Sequence, residues 1–278
     1  MAFGDLSRIG GNIQALQSLN SLNQINRNLG VRQLRLATGK RINTAEDDSA
    51  GFVIGRTFQA RSKGLAVALG NIGDAKSMLS IAEGGLSNIL DILETMKEKA
   101  TAAVSDTLGT NERNAIESEL DALASEIDDI NTETTFNGTA LLTGTSLTIQ
   151  TGAETANTLN ITVTSASHTA STLSVDDSSL DVSSAAASST SLSNINSALT
   201  TVKTSIANIG AVQARLSTKE NTLSNAITNT EAARSRIMDA DFAKEQLNAL
   251  KLQIMQQTAT RSLAQANSAP QVVLSLFQ

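Results

Sequence analysis

One repeat constrains this chain more than any other feature. Ile72, Ala75, Leu79, Ala82, Leu86, Ile89, Leu93, Met96 and Ala100 are separated alternately by three and four residues. The mean of about 3.5 is the heptad beat of helices packed side by side as in a coiled coil. An α-helix over that span is ~44 Å long at a rise of about 1.5 Å per residue, which makes a rod rather than a rounded core. The residue content agrees. Among 278 residues there are six Phe, no Trp and no Tyr, and the single proline is Pro270. Leu, Ile, Val and Ala must therefore fill thin seams between helices, and those helices run without a breaker.

The same beat returns at Leu192, Ile195, Leu199, Val202, Ile206 and Ile209, and continues more sparsely through Leu216, Leu223, Ile227 and Ile237. Polar Gln213, Glu220 and Arg234 occupy some seam positions there, where such residues fix register at some cost in stability. Ile116, Leu120, Leu123, Ile127 and Ile130 form a third, shorter stripe. Three helices with compatible stripes predict a small antiparallel bundle assembled from distant parts of the chain.

The two ends have a different pattern. Leu6, Ile9, Ile13, Leu16, Leu19, Leu22, Ile25 and Leu29 often recur at intervals of three, so their stripe winds around the helix. Near the other terminus Ala243, Leu247, Leu250 and Ile254 make one stripe, while Leu252, Met255, Ala259, Leu263 and Ala266 lie off it. Helices apolar on more than one side need more than one partner, and the ends are expected to be disordered or aggregation-prone alone. Between the rods, residues 143–191 hold 23 Ser or Thr among 49. Within that region SLTIQTG (146–152) and TLNITVT (158–164) alternate like two paired strands, and 165–191 is expected to be surface loop with at most one more strand.

Charge is partitioned along the chain. Residues 1–66 carry nine Lys or Arg against four acids, and 67–133 carry four against fourteen. Residues 134–202 have four acids and no base, and 203–278 have eight bases against five acids. Basic ends and an acidic middle suggest that the ends belong together and meet acidic surfaces on neighbours. There is no cysteine, which removes disulfides, thiolate metal sites and a cysteine nucleophile. No continuous apolar core marks a cleavable leader in the first thirty residues, and no run approaches a membrane span. Neither membrane insertion nor a nucleic-acid partner is expected.

The stretch LATGKRINTAEDDSAGF (36–52) interrupts the helical pattern and invites a ligand reading. A phosphate loop fails because Leu34 stands where glycine is needed and Arg41 where Ser or Thr is needed. A calcium loop centred on Gly51 fails because Ala50 offers no side-chain oxygen and Thr57 replaces the closing glutamate. A joint between helices fits better. Gly39 can take the left-handed conformation that ends a helix, and Asp47 or Asp48 can accept the free N–H groups that start the next. His168, the only histidine, has no companion ligands or nucleophile and reads as solvated surface; Asp239 and Asp241 read as caps. No catalytic, cofactor or metal site is nominated, and an enzyme is not expected.

LATGKRINTAEDDSAGFVIG resembles the amino-terminal signature of bacterial flagellins, the subunits of the flagellar filament. IAEGGL (81–86), TTFNG (134–138), IQTGAETANTL (149–159), RIMDADFAKE (236–245) and the segment 253–278 resemble later landmarks of that family in the same order. The resemblance implies a mainly α fold, a long-helix coiled-coil bundle with a small β-hairpin region and paired terminal helices. It implies an inner-tube domain from 1–44 with 237–278, and a rod from 45–236 containing the Ser/Thr-rich hairpin region at about 143–191. The function implied is self-polymerisation into the filament for motility, with no cofactor. Leu16, Leu22, Ile254, Leu263, Val272 and Leu276 are the candidate polymerisation residues. Gly39, Arg41, Asn43, Asp47, Asp48 and Gly51 are the candidate joint, with its charges meeting neighbouring subunits.

Implied partners are further copies of the chain, an export chaperone, a cap protein and hook-associated proteins; the implied location is the extracellular flagellum, reached by type III export. In many flagellins the segment equivalent to Leu93–Lys99 is recognised by a host innate immune receptor. Here Leu93 and Glu98 keep their places, but Thr95 replaces the family's arginine and cannot donate its forked, charged hydrogen bonds, so weak signalling is expected. The competing readings are a hook–filament junction protein, which shares the end pattern, and a non-polymerising coiled-coil secreted protein.

Overall fold

A computed structural model describes residues 11–144, 146–163 and 167–275, with side chains described as far as Ser268. Its elements, in chain order, are α1 (Ile13–Thr38), α2 (Ser49–Ala103), α3 (Thr110–Glu133), β1 (Thr135–Phe136), β2 (Thr139–Ala140), β3 (Ser146–Gln150), β4 (Thr158–Thr162), α4 (Ala170–Leu173), α5 (Ala185–Met238) and α6 (Phe242–Ser275). Packing divides the chain into two units, one drawn from Met1–Ala60 with Thr230–Gln278 and the other from Arg61–Asn229.

The second unit is built on the heptad stripe. All nine positions from Ile72 to Ala100 are buried, eight of them completely. Leu120, Ala124 and Ile127 of α3 join the same cluster, as do Ile195, Leu199, Val202, Ile209, Leu216 and Leu223 of α5. The polar seam positions are paired: Gln213 donates to Glu83 at 2.9 Å, and Lys76 meets Glu220 at 2.9 Å. Both partners of the ion pair are about 40% exposed, so it sets register more than it stabilises. β3 and β4 pair antiparallel, Ser146 opposite Thr162 and Gln150 opposite Thr158. Leu159 and Ile161 alternate into the core while Thr158, Asn160 and Thr162 face water.

The expectation for 165–191 has to be corrected. The part described from Ser167 onward is packed structure: Ala170, Leu173, Val175, Leu180 and Val182 belong to the core, and the chain enters α5 at Ala185. Apolar residues spaced by two to five positions lack either period, which is why they read as loop. His168 is likewise not at the surface, being 1% exposed. Its ring Nε2 lies 2.9 Å from Ser205 Oγ, and its backbone N–H donates to Leu142 O and Asn131 Oδ1. Distant α3 and α5 residues supply that environment, so nothing local announced it.

Arg113 closes one end of the bundle and was not singled out by any pattern. Only 6% exposed, it donates through Nη1 to the carbonyls of Ala103 (2.5 Å) and Val182 (3.3 Å) and to Ser188 Oγ (3.3 Å). Its Nη2 donates to Ser105 O at 2.8 Å. The cation thus sits on the carbonyl end of α2, where the helix dipole favours positive charge and the last carbonyls lack helical partners. Replacing Arg113 with Leu should leave several buried carbonyls unpaired and lower stability by about 3 kcal/mol, read from urea unfolding.

Burial first, and the neighbouring Asp177 second, push the carboxyl of Asp121 above its ordinary range. A carboxyl whose folded pKa is raised destabilises the fold while ionised, and the penalty is relieved as pH falls through that raised value. Asp121→Asn should raise the thermal midpoint at neutral pH by about 1–2 °C, a small effect because the group keeps some solvent. That advantage of the variant should shrink as pH falls through the raised value, measured as the difference in thermal midpoint between variant and wild type against pH.

Candidate assembly surface and joint

The first unit pairs the chain's ends. α1 and α6 run antiparallel, tied by Asn12 Nδ2 donating to Ala266 O (2.7 Å) at one end and Gln256 to Asn26 Oδ1 (2.7 Å) between. Leu29, Ala249 and Ala266 are buried between them; the two alanines let the backbones approach closely. Toward the joint the tie is ionic. Arg32 Nη1 donates to both oxygens of Glu245 (3.0 and 2.9 Å), and Arg35 Nη1 lies 3.7 Å from Glu245 Oε1. The Glu245 side chain is 8% exposed, so this charge depends on its arginines.

This pairing leaves much of the apolar surface uncovered. Of the exposed large hydrophobic side chains among the described residues, twelve belong to this unit and only Val67 and Ile81 to the other. Ile13, Leu16 and Leu19 of α1, and Leu247, Leu250, Ile254 and Met255 of α6, are each between 42% and 68% exposed. Leu22 and Leu263 are half-buried. Val272 lies in α6, but its side chain, and the whole of Leu276, fall outside the described residues.

The joint is defined in detail. Gly39 ends α1 with φ 67° and ψ 7°, the left-handed region where a β-carbon is penalised. Its carbonyl accepts from Ala240 N (2.9 Å), and Arg41 N donates to Met238 O (2.7 Å), so the passage from α1 to α2 is stitched to the break between α5 and α6. Arg41 Nη2 also donates to Ile237 O (2.9 Å), at the carbonyl end of α5. The Asn43 side chain donates to Lys40 O. Asp47 and Asp48 divide the capping work between them. Asp47 Oδ2 accepts from Asn43 N (3.0 Å) and Thr44 N (3.1 Å) and closes the turn, while Asp48 Oδ1 accepts from Gly51 N (2.9 Å) and caps α2.

Gly51 is required by proximity: a β-carbon there would lie 2.5 Å from Asp48 Oδ2 and 2.7 Å from Ile42 Cδ1. Ile42, 1% exposed, is the apolar plug of the turn. Of the joint's charges, Arg41, Asp47 and Asp48 are engaged within the chain, Asp47 with Arg35 at 3.2 Å and Asp48 with Arg41 at 3.9 Å. Lys40 and Glu46 point to solvent.

The hydrogen bond from Asn43 N, aided by Thr44 N and Arg35 against an opposing effect of burial, holds the Asp47 carboxyl below its ordinary range. Its contribution is therefore present above the unfolded pKa and lost as pH falls through the lowered folded one.

Further along α2, the candidate receptor segment needs correction. Leu93 is fully buried in the heptad seam, so of the three candidate residues Thr95 and Glu98 are the ones on the surface. Thr95 turns its hydroxyl back to Asp91 O at 3.0 Å. Seam and epitope assigned the same leucine, and packing keeps it. Among the described residues no cluster of His, Asp or Glu could hold a metal ion, and no helix is long and apolar enough to cross a membrane.

Two antiparallel terminal helices with an uncovered apolar surface, joined through a capped turn to a heptad bundle, describe a subunit made for association with others. Comparison with known proteins says which. Residues 9–147 match the bacterial flagellin N-terminal helical region, and residues 192–277 the bacterial flagellin C-terminal helical region. A flagellin of Halalkalibacterium halodurans is 33% identical over 97% of this chain and 99% of its own, and one of Bacillus subtilis is 33% identical over 98% and 100%. A crystal structure of Bacillus cereus flagellin is similar with 25% identity and a TM-score of 0.49, over 59% of this chain and 94% of that one. The chain belongs to the bacterial flagellin family and is a structural subunit of the flagellar filament.

The charge clamp on the terminal pair gives the prediction for this unit. Glu245→Ala leaves Arg32 without its carboxylate and Arg35 with Asp47 alone, and should destabilise the helix pair by about 2 kcal/mol. That is below the ~3–5 kcal/mol of a fully buried pair because Arg32 keeps some solvent. Hydrogen exchange of α1 and α6 amides reads it, with the heptad bundle as internal reference.

Proposed function

We propose that the terminal unit is the polymerising element of this flagellin. Copies associate through the apolar faces of α1 and α6, centred on Leu16, Leu22, Ile254 and Leu263, with Val272 and Leu276 as further polymerisation residues. The observation that carries this reading is the concentration of large exposed hydrophobic side chains on that unit. Monomeric proteins rarely expose such patches, and burying them between copies supplies the driving force of association.

The inner-tube domain is 1–44 with 237–278 and the rod is 45–236, a division supported by the helix breaks at Gly39–Asp48 and Asp239–Asp241. Gly39, Arg41, Asn43, Asp47, Asp48 and Gly51 form the joint in the chain between them, while exposed Lys40 and Glu46 face neighbouring subunits. The subunit works mechanically, as part of a tube that transmits rotation, and performs no catalysis. It reaches the cell exterior through the flagellar type III apparatus, kept from premature association by a chaperone on its carboxy-terminal helix. The cap protein places it, and hook-associated proteins seed the filament. Innate-receptor signalling through Thr95 and Glu98 is weak, since neither replaces the forked donor of an arginine.

Removing residues 250–278 should abolish elongation from filament seeds while leaving a soluble, helical protein. Electron microscopy reads the first and circular dichroism the second. Filaments of ordinary length from the truncated chain would overturn the proposal, whereas a junction protein would fail to elongate even at full length.

A further inference from the structure

The methionines of this chain are unequally protected. Met78, Met96 and Met238 are 4%, 0% and 7% exposed, whereas Met255 is 42% exposed. Met255 also lines the groove of about 580 Å³ between α1 and α6, together with Gln17, Ser21, Ile25, Ile254 and Ala259. It therefore combines chemical accessibility in the free subunit with a position on the proposed association face. A thioether suits such a place while reduced, being apolar, unbranched and able to fit an irregular partner surface.

We infer that Met255 is an oxidation-sensitive site that controls assembly competence, and that its sulfoxide blocks docking of a second copy on the terminal helices. This rests on the polymerising role proposed above for that unit. The oxidant class is a peroxide. The thioether sulfur attacks one peroxide oxygen, an S–O bond forms, and the O–O bond breaks. The second oxygen departs as water with both protons of hydrogen peroxide, so sulfur loses two electrons and peroxide gains them. The product is a polar, strongly accepting group where an apolar one stood. Directed outward, it puts an unpaired acceptor against an apolar partner face. Directed inward, it takes hydrogen bonds from the groove's hydroxyl and amide groups, among them Ser21 and Gln17, and fills the space a partner would occupy. Either arrangement opposes association.

The test uses the full chain, treated with hydrogen peroxide as free subunit and as assembled filament. Peptide mass mapping follows each methionine, and elongation from seeds follows function. In the free subunit Met255 should convert well before Met78, Met96 and Met238, and in the filament it should be protected. Elongation by the oxidised subunit should fall about tenfold or more, the cost of one uncompensated polar group at a packed interface. Methionine sulfoxide reductase should restore it. M255L, compared with its own untreated rate, should lose nothing on the same treatment.

The inference is overturned if fully converted Met255 leaves elongation unchanged, if Met255 oxidises as fast in the filament as in the subunit, or if treatment slows M255L as much as wild type. Failure of the untreated wild-type chain to elongate would instead count against the polymerising role itself.

Discussion

The core of the second unit is organised around one stripe of α2. From Leu65 to Ala103 that stripe is buried turn after turn, and α3, α5, the β3–β4 hairpin and the chain from Ala170 to Val182 all contribute to the cluster around it. With so few aromatic rings, no single contact dominates. Each fully buried Leu, Ile or Met contributes about 1.5–3 kcal/mol relative to exposure, and stability accumulates along the rod in many similar steps. Such a core is uniform and does little by itself to choose between registers one heptad apart. The choice falls to less regular features: Glu83 with Gln213, Lys76 with Glu220, and Arg113 on the carbonyl end of α2.

The terminal unit follows the opposite rule. Its interior amounts to a leucine, two alanines and the Met238–Ile42 region, with the buried Glu245 carboxylate held by Arg32 and Arg35. Close approach of α1 and α6 at Ala249 and Ala266 gives a well-defined pair but buries little apolar area. The larger apolar side chains face outward. On the polymerising role proposed for this unit, neighbouring copies would complete the core it lacks, and its stability would then be tied to the concentration and state of the polymer. Folding of the bundle and ordering of the ends are thereby separate thermodynamic events within one chain.

The sequence announced whatever rests on periodicity or on local backbone chemistry. The α2 heptads, the alternation of β4, and the Gly39 cap each follow from residues within a few positions of one another. Asp47 and Asp48 could not be told apart because both acids can accept free N–H groups, and the choice depends on how the turn around Ile42 closes. Leu93 was counted once as seam and once as epitope, and three-four spacing proved the stronger constraint. What stayed hidden depends on distant partners. Glu245 meets arginines more than two hundred residues earlier, Arg113 reaches Val182 and Ser188, and His168 is enclosed through Ser205 and Asn131. Composition around each of these looks solvated, and no window along the chain contains the contact.

The stitching of Gly39 to Ala240 and of Arg41 to Met238 has a topological consequence. The chain leaves the terminal helix pair and re-enters it at adjacent points, fixed by main-chain hydrogen bonds that do not depend on side-chain identity. Everything between is, in effect, an inserted module whose ends are already closed. Lengthening a surface loop inside that module costs only slowly growing loop entropy and leaves the meeting of the two termini untouched. On the proposed assignment of the termini to the inner tube, a filament built on such a subunit can alter its outer face in evolution while its inner contacts stay as they are.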